Sequence, residues 1–98
     1  MTMENTFVAR IERFETQGGW HYVAVPQALS VPLEYLAIHF GFIAIEARVG
    51  NTAWPTSLLP KSDGTHFTAL PAKVRAKEKL SLGGEIEISF ETRERKGE

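Results

Sequence analysis

Ser57, Asp63 and His66 fall within ten positions of one another, and a hydroxyl, a carboxylate and an imidazole can serve a hydrolase as nucleophile, orienter and base. Their surroundings favour a different reading. No Gly-x-Ser-x-Gly elbow encloses Ser57, and Asp63 belongs to Lys61-Ser62-Asp63-Gly64, a turn by composition in which Asp bonds nearby backbone and Gly takes positive φ. His21, His39 and His66 have no i, i+4 spacing and no cysteine partners, so a metal site would require all three to converge with a carboxylate by tertiary folding. The pairs Gly18-Gly19 and Gly83-Gly84 lack both the Lys-Ser/Thr of a phosphate loop and the spacing of a dinucleotide fingerprint, and read as turns. The sequence points to no catalytic residue, no metal and no cofactor.

The residues better suited to holding a ligand are Trp54, Ser57, His66, Lys73 and Arg75. Trp20, Tyr22, Trp54 and Phe67 fall near hairpin ends, where core packing accounts for most of them. Trp54, followed by Pro55 and the polar Thr56-Ser57, fits the rim of a cleft, where large rings meet a few converging polar groups. Lys73, Arg75, Lys77 and Lys79 form a basic cluster. It reads first as a solvated helix face, then as an anion site at the helix start, and last as a nucleic-acid contact.

These residues need elements to position them. Phe7, Ala9 and Ile11 alternate with Arg10 and Glu12 as in a half-buried strand, and Phe14 breaks the parity, which places a bend or bulge near Arg13. Gln17-Gly18-Gly19 turns the chain into Trp20–Val25, a strand that Pro26 ends. Leu33, Leu36, Ala37 and Phe40 then fall at helical spacing, with Pro32 in the first turn and Gly41 as the left-handed cap, and His39 takes the solvent-facing or rim side. Ile43, Ile45, Ala47 and Val49 form the next strand, and Gly50-Asn51 a tight turn. Pro55 marks Thr52–Pro60 as an edge or irregular strand. His66–Leu70 returns as a strand, a short helix runs from Ala72 to Lys79 and is closed by Gly83-Gly84, and Ile86, Ile88 and Phe90 face inward from a last strand.

Ninety-eight residues make one domain, expected to fray at 1–5 and 93–98. With 43% hydrophobic residues the chain has the apolar surface to fold alone, and zero cysteines fit a reducing cytoplasm. No basic-then-apolar leader and no apolar run of membrane-spanning length is present. Net charge is −1, so no overall field draws the chain to nucleic acid. The charge is uneven: residues 1–49 hold three basic and five acidic side chains, and residues 50–98 eight and seven.

Val23-Ala24-Val25-Pro26, a helix, then Gly41 and a strand matches Thr68-Ala69-Leu70-Pro71, a helix, then Gly83-Gly84 and a strand. The halves lie at about 20–49 and 66–92. A strand-Pro-helix-Gly-strand unit that cannot bury its own apolar face packs against its twin. The stretch LPAKVRAKEKLSLGGEIEISFE resembles the repeat of the transition-state-regulator and antitoxin class of swapped-hairpin proteins, in which two chains interleave in one double-split β-barrel. The whole chain, from FVARIE through GGWHYVAVP, SLLPKSDGTHF and LPAKVR to LGGEIEISFE, looks like the bacterial domain of unknown function family numbered nineteen hundred and five. That resemblance covers about residues 6–92. It implies a mostly β chain, a double-split barrel with two short helices and a pseudo-two-fold repeat, holding both halves in one polypeptide. Members of that family are sometimes joined to a bacteriocin-protection-like domain, which implies an accessory role. The family tends to carry Gly-Asp where this chain has Gly83-Gly84, so no role for that Asp carries over.

In the regulator class both halves supply basic loops, whereas here the first half offers Gln27, Ala28, Leu29 and Glu34 opposite the Lys73–Lys79 cluster. That mismatch argues against duplex binding, which rests on phosphate contacts spread across the docking surface. The reading that follows is a non-catalytic binding or interaction module for a small anion, a metabolite or a protein partner. A nucleic-acid-binding regulator-like module and a small hydrolase are the alternatives. Oligomeric state is open.

Overall fold

A computed structural model describes residues 5–16, 18–38 and 41–93. Its strands are β1 (Asn5–Arg10), β2 (Glu12–Arg13), β3 (His21–Val25), β4 (Ile43–Val49), β5 (Thr52–Pro60), β6 (His66–Ala69) and β7 (Glu85–Thr92). They form one seven-stranded sheet in the order β1-β7-β4-β5-β6-β3-β2, antiparallel at every pairing. Because β1 and β2 are consecutive pieces of one bent segment, the two ends of that order meet, and the sheet curls into a nearly closed barrel. The bend falls at Ile11, two residues before the position that Phe14 implied. Ile11 is held there by its N–H on the Gly84 carbonyl (2.8 Å) and its carbonyl on the Gly83 N–H (2.9 Å).

The pairing has an internal two-fold pattern. The β1-β2 segment pairs first with β7 and then with β3; β5 pairs from Thr52 to Leu58 with β4 and then, at Leu59 and Pro60, with β6. The pairs β3·β6 and β4·β7 lie on the pseudo-axis. The series β1-β2, β3, helix, β4 therefore maps onto β5, β6, helix, β7. Each unit takes in the long strand that precedes the proline-helix segment visible in the sequence.

Alternation sets the core. Ile43, Ile45, Ala47 and Val49 are buried on one face of β4, opposite Leu58, Thr56, Trp54 and Thr52 of β5, and Ile88 and Phe90 complete that wall from β7. Val23, Val25, Leu70, Phe7 and Ile11 close the interior, capped by Val74 from α2 (Ala72–Glu78). A fully buried Leu, Ile or Val contributes about 1.5–3 kcal/mol, so this face holds the barrel together.

Four local details depart from the periodicity. Thr52–Pro60 is a regular nine-residue strand within the sheet, despite Pro55. The Ser57 carbonyl turns away from β4 and accepts the Thr68 hydroxyl (3.2 Å), and Pro55, two residues earlier, has the same orientation. Its missing N–H would have pointed to the side of β5 that β6 reaches only at Leu59, so no ladder bond is lost.

The first helical segment is not one α-helix. It is α1 (Gln27–Ser30) continued by a 3-10 helix over Val31–Leu36. Pro32, the sixth residue of this run, can neither donate to the preceding turn nor avoid its carbonyl, and the chain tightens. The expected stripe dissolves: Leu33 and Ala37 are half-buried, Leu36 is exposed, and Phe40 and His39 lie outside the described residues. Ala37 is extended at ψ 141°, so the run that begins at Gln27 ends there and Gly41 is not its cap. At the end of α2 the left-handed residue is Lys79 (φ 57°), not Gly83-Gly84.

At the chain ends, Asn5 is already part of β1, opposite Phe90. Arg93 donates from its N–H to the Ala44 carbonyl (3.0 Å) and from Nε to the Ile45 carbonyl (2.8 Å). Residues 1–4 and 94–98, where fraying was expected, lie outside the described residues.

Candidate functional site

A cleft of about 300 Å³ opens where β3 begins and β6 ends, between the β2–β3 turn and the start of α2. Trp20 and His21 form one wall, and Pro71 and Arg75 the other. His21 shares the inward parity of Val23 and Val25 but occupies the first position of β3, at the open end of the barrel. Its carbonyl accepts the Leu70 N–H (2.9 Å), which joins the two walls. Arg13 faces His21 across the β2–β3 ladder.

The turn favours glycine at position 19 for its φ of +49°, and a Cβ there would also displace the Arg13 guanidinium, whose Nε it would approach to 2.7 Å. Arg13 in turn donates from Nε to the Gly19 carbonyl (3.3 Å). On the opposite wall Arg75 donates from Nε to the Leu70 carbonyl (3.0 Å), and its remaining guanidinium N–H groups make no bond with another described residue. Reduced contact with water first, then the charges of Arg75 and Arg13, hold the His21 imidazole below its usual 6.5. Trp20 is 56% exposed, unusual for so large an apolar ring. An aromatic platform and two guanidiniums thus converge on one imidazole, an arrangement that can stack a flat group and hold negative charge.

Of Trp54, Ser57, His66, Lys73 and Arg75, the residues expected from sequence to hold a ligand, only Arg75 lines this cleft. Trp54 is 8% exposed, on the inner face beside Ala47, and its Nε1 has no hydrogen-bond partner. His66 is 4% exposed inside the barrel, with Nδ1 likewise unpartnered. Ser57 stands on the outer face with Ala44, so Ser57 and His66 occupy opposite faces of the sheet. Asp63 accepts the N–H and hydroxyl of Thr65, as a turn residue does. Lys73 points to solvent on α2. Trp20 and His21 carry a signal in the sequence, an aromatic and an imidazole directly after Gly18-Gly19, but core packing accounts for such a ring and strand alternation for such a histidine equally well. Among the described residues no group of three His, Asp or Glu side chains could hold a metal ion.

The internal symmetry makes the cleft one-sided. His21 precedes Pro26 by the same spacing as His66 precedes Pro71, and Ser30 follows Pro26 as Arg75 follows Pro71. In the ladder Val25 faces His66, as Leu70 lies beside His21. The equivalent end is shut: Ser30 is fully buried with an unpartnered Oγ, in place of the guanidinium of Arg75. The Lys73 and Lys77 positions correspond by the same spacing to Ala28 and Pro32, so the basic surface belongs to one half alone.

The chain belongs to the family described as Domain of unknown function (DUF1905), whose model matches residues 7–90. No curated protein matches it.

Proposed function

We propose that this member of the family is a non-catalytic binding module whose ligand enters the cleft between Trp20, His21 and Arg75. The observation that carries the reading is the convergence of an exposed indole and a guanidinium committed only through Nε on a cavity of about 300 Å³, the lower end of the size of small-molecule sites. We further propose that the barrel is a double-split one, a single-chain relative of the swapped-hairpin regulators acting in a bacterial cytoplasm. The two-fold strand pairing supports the first part, and the cysteine-free composition fits the second. The one-sided basic surface disfavours duplex DNA as the ligand, since phosphate contacts there would come from one half only.

A thermal-shift screen of small metabolites against the wild type, Trp20→Ala and Arg75→Ala tests this. A ligand at about a hundred times its Kd adds about 2.7 kcal/mol, which in a domain of this size raises Tm by roughly 10 °C or more. Both variants are expected to lose that shift. Equal shifts in all three proteins, or none in the wild type, would contradict the reading.

A further inference from the structure

Among the described residues His21 has two positive neighbours and no negative one. Arg13 faces it from β2 and Arg75 from α2, and neither guanidinium forms an ion pair with a described residue. Glu15 lines, with Arg13, a separate hollow beyond the turn, without pairing to it. Both positive charges act on the same imidazole, and an anion placed beside it would offset both. The symmetry-related end needs no such partner, because the fully buried and uncharged Ser30 stands where the second half has Arg75.

We propose that the cleft binds an aromatic oxyanion, its ring against Trp20 and its negative charge between Arg75 and His21, with a proton taken up by the imidazole on binding. This deepens the binding-module reading and rests on it. Arg75 suits the task because its Nε is fixed on the Leu70 carbonyl, which orients the rest of the fork towards the cavity it lines. Trp20 offers a flat apolar face that folding leaves in water. Burial and the two arginines favour the neutral imidazole. A bound anion offsets both arginines and favours the imidazolium, so ligand affinity and proton uptake are linked.

Benzenesulfonate is the decisive probe, because it stays ionised throughout the range in which histidine titrates. Its affinity, read by Trp20 fluorescence in a Trp54→Phe background, is expected to fall about tenfold for each unit by which binding raises the His21 pKa, between about pH 5 and pH 8. His21→Gln should flatten that dependence, and Arg75→Gln should weaken binding about tenfold or more at every pH. Benzoate and phenyl phosphate run beside it distinguish a carboxylate ligand from a phosphate one. If benzyl alcohol binds at Trp20 as tightly as benzenesulfonate, with no pH dependence, the anion assignment is overturned while the cleft remains a binding site. If none of these compounds perturbs Trp20 or raises Tm, the aromatic-oxyanion assignment is overturned, whereas the binding-module reading falls only if the metabolite screen also leaves the wild-type Tm unmoved.

Discussion

The Thr52 hydroxyl donates to the Glu78 carboxylate, and this bond ties the β4–β5 turn to the last turn of α2, the helix that carries Arg75 to the cleft. A hydrogen bond to a charged partner in a part-buried position contributes about 1.5–3 kcal/mol. Glu78→Ala should lower stability by that amount in urea titrations and, because α2 loses a tether, should weaken ligand binding although Glu78 lies outside the cleft. Thr52→Val should cost less, since Glu78 remains half-exposed to water.

Gly50 sits under the same carboxylate. Its φ of +58° disfavours any residue with a Cβ, and a Cβ built there would overlap Glu78 Oε1. Gly50→Ala should therefore cost about 1–2 kcal/mol for the left-handed backbone alone, and more for the overlap. The double variant with Glu78→Ala is expected to be less destabilised than the two single effects combined, a coupling that a double-mutant cycle measures.

Arg93 clasps two strands, with Nε on the Ile45 carbonyl of β4 and Nη2 on the Thr56 carbonyl of β5. Arg93→Ala should cost about 1–2 kcal/mol. Arg93→Lys should recover less than half, because a single ammonium cannot span both carbonyls in the geometry of a planar fork.

How far these features could be read beforehand depended on whether they are local. Ile43, Ile45, Ala47 and Val49 declare β4 by parity alone, and Pro26 and Pro71 end their strands because each removes a ladder donor. The repeat shows for the same reason. Pro55 misled, because whether a proline breaks a strand depends on which side its nitrogen faces, and only the β4–β5–β6 pairing fixes that. Pro32 misled through its distance from the helix start at Gln27, which Pro26 sets. Trp54 has the parity of Leu58, so its inward position was legible, although its polar neighbours pointed to a rim. The cleft itself was not legible: Trp20 and Arg75 lie far apart in the chain and meet only when β3 and β6 pair.

Two titrating groups push stability in distinct pH windows. His21 has a folded-state pKa below 6.5, so as pH falls past 6.5 the unfolded chain takes the proton first and stability declines until the folded pKa is reached. His21→Gln should remove that decline from a Tm profile and leave the plateau above it unchanged. Asp63 is held below 3.8 by the Thr65 hydroxyl first and then its N–H, so its contribution is present above that value and lost as pH falls through the folded pKa. Thr65→Val should bring the Asp63 pKa back towards 3.8, as a carboxyl-resolved NMR titration would record.

The most direct measurement is an NMR titration of the full chain with benzenesulfonate at about pH 6, following the two indole N–H signals and the imidazole signals together. Trp20 and His21 are expected to shift in a saturable manner, with His21 moving towards its protonated form, while buried Trp54 and His66 stay in place. Shifts confined to Trp54 and His66, or saturation that leaves Trp20 and His21 unmoved, would contradict the assignment of the cleft.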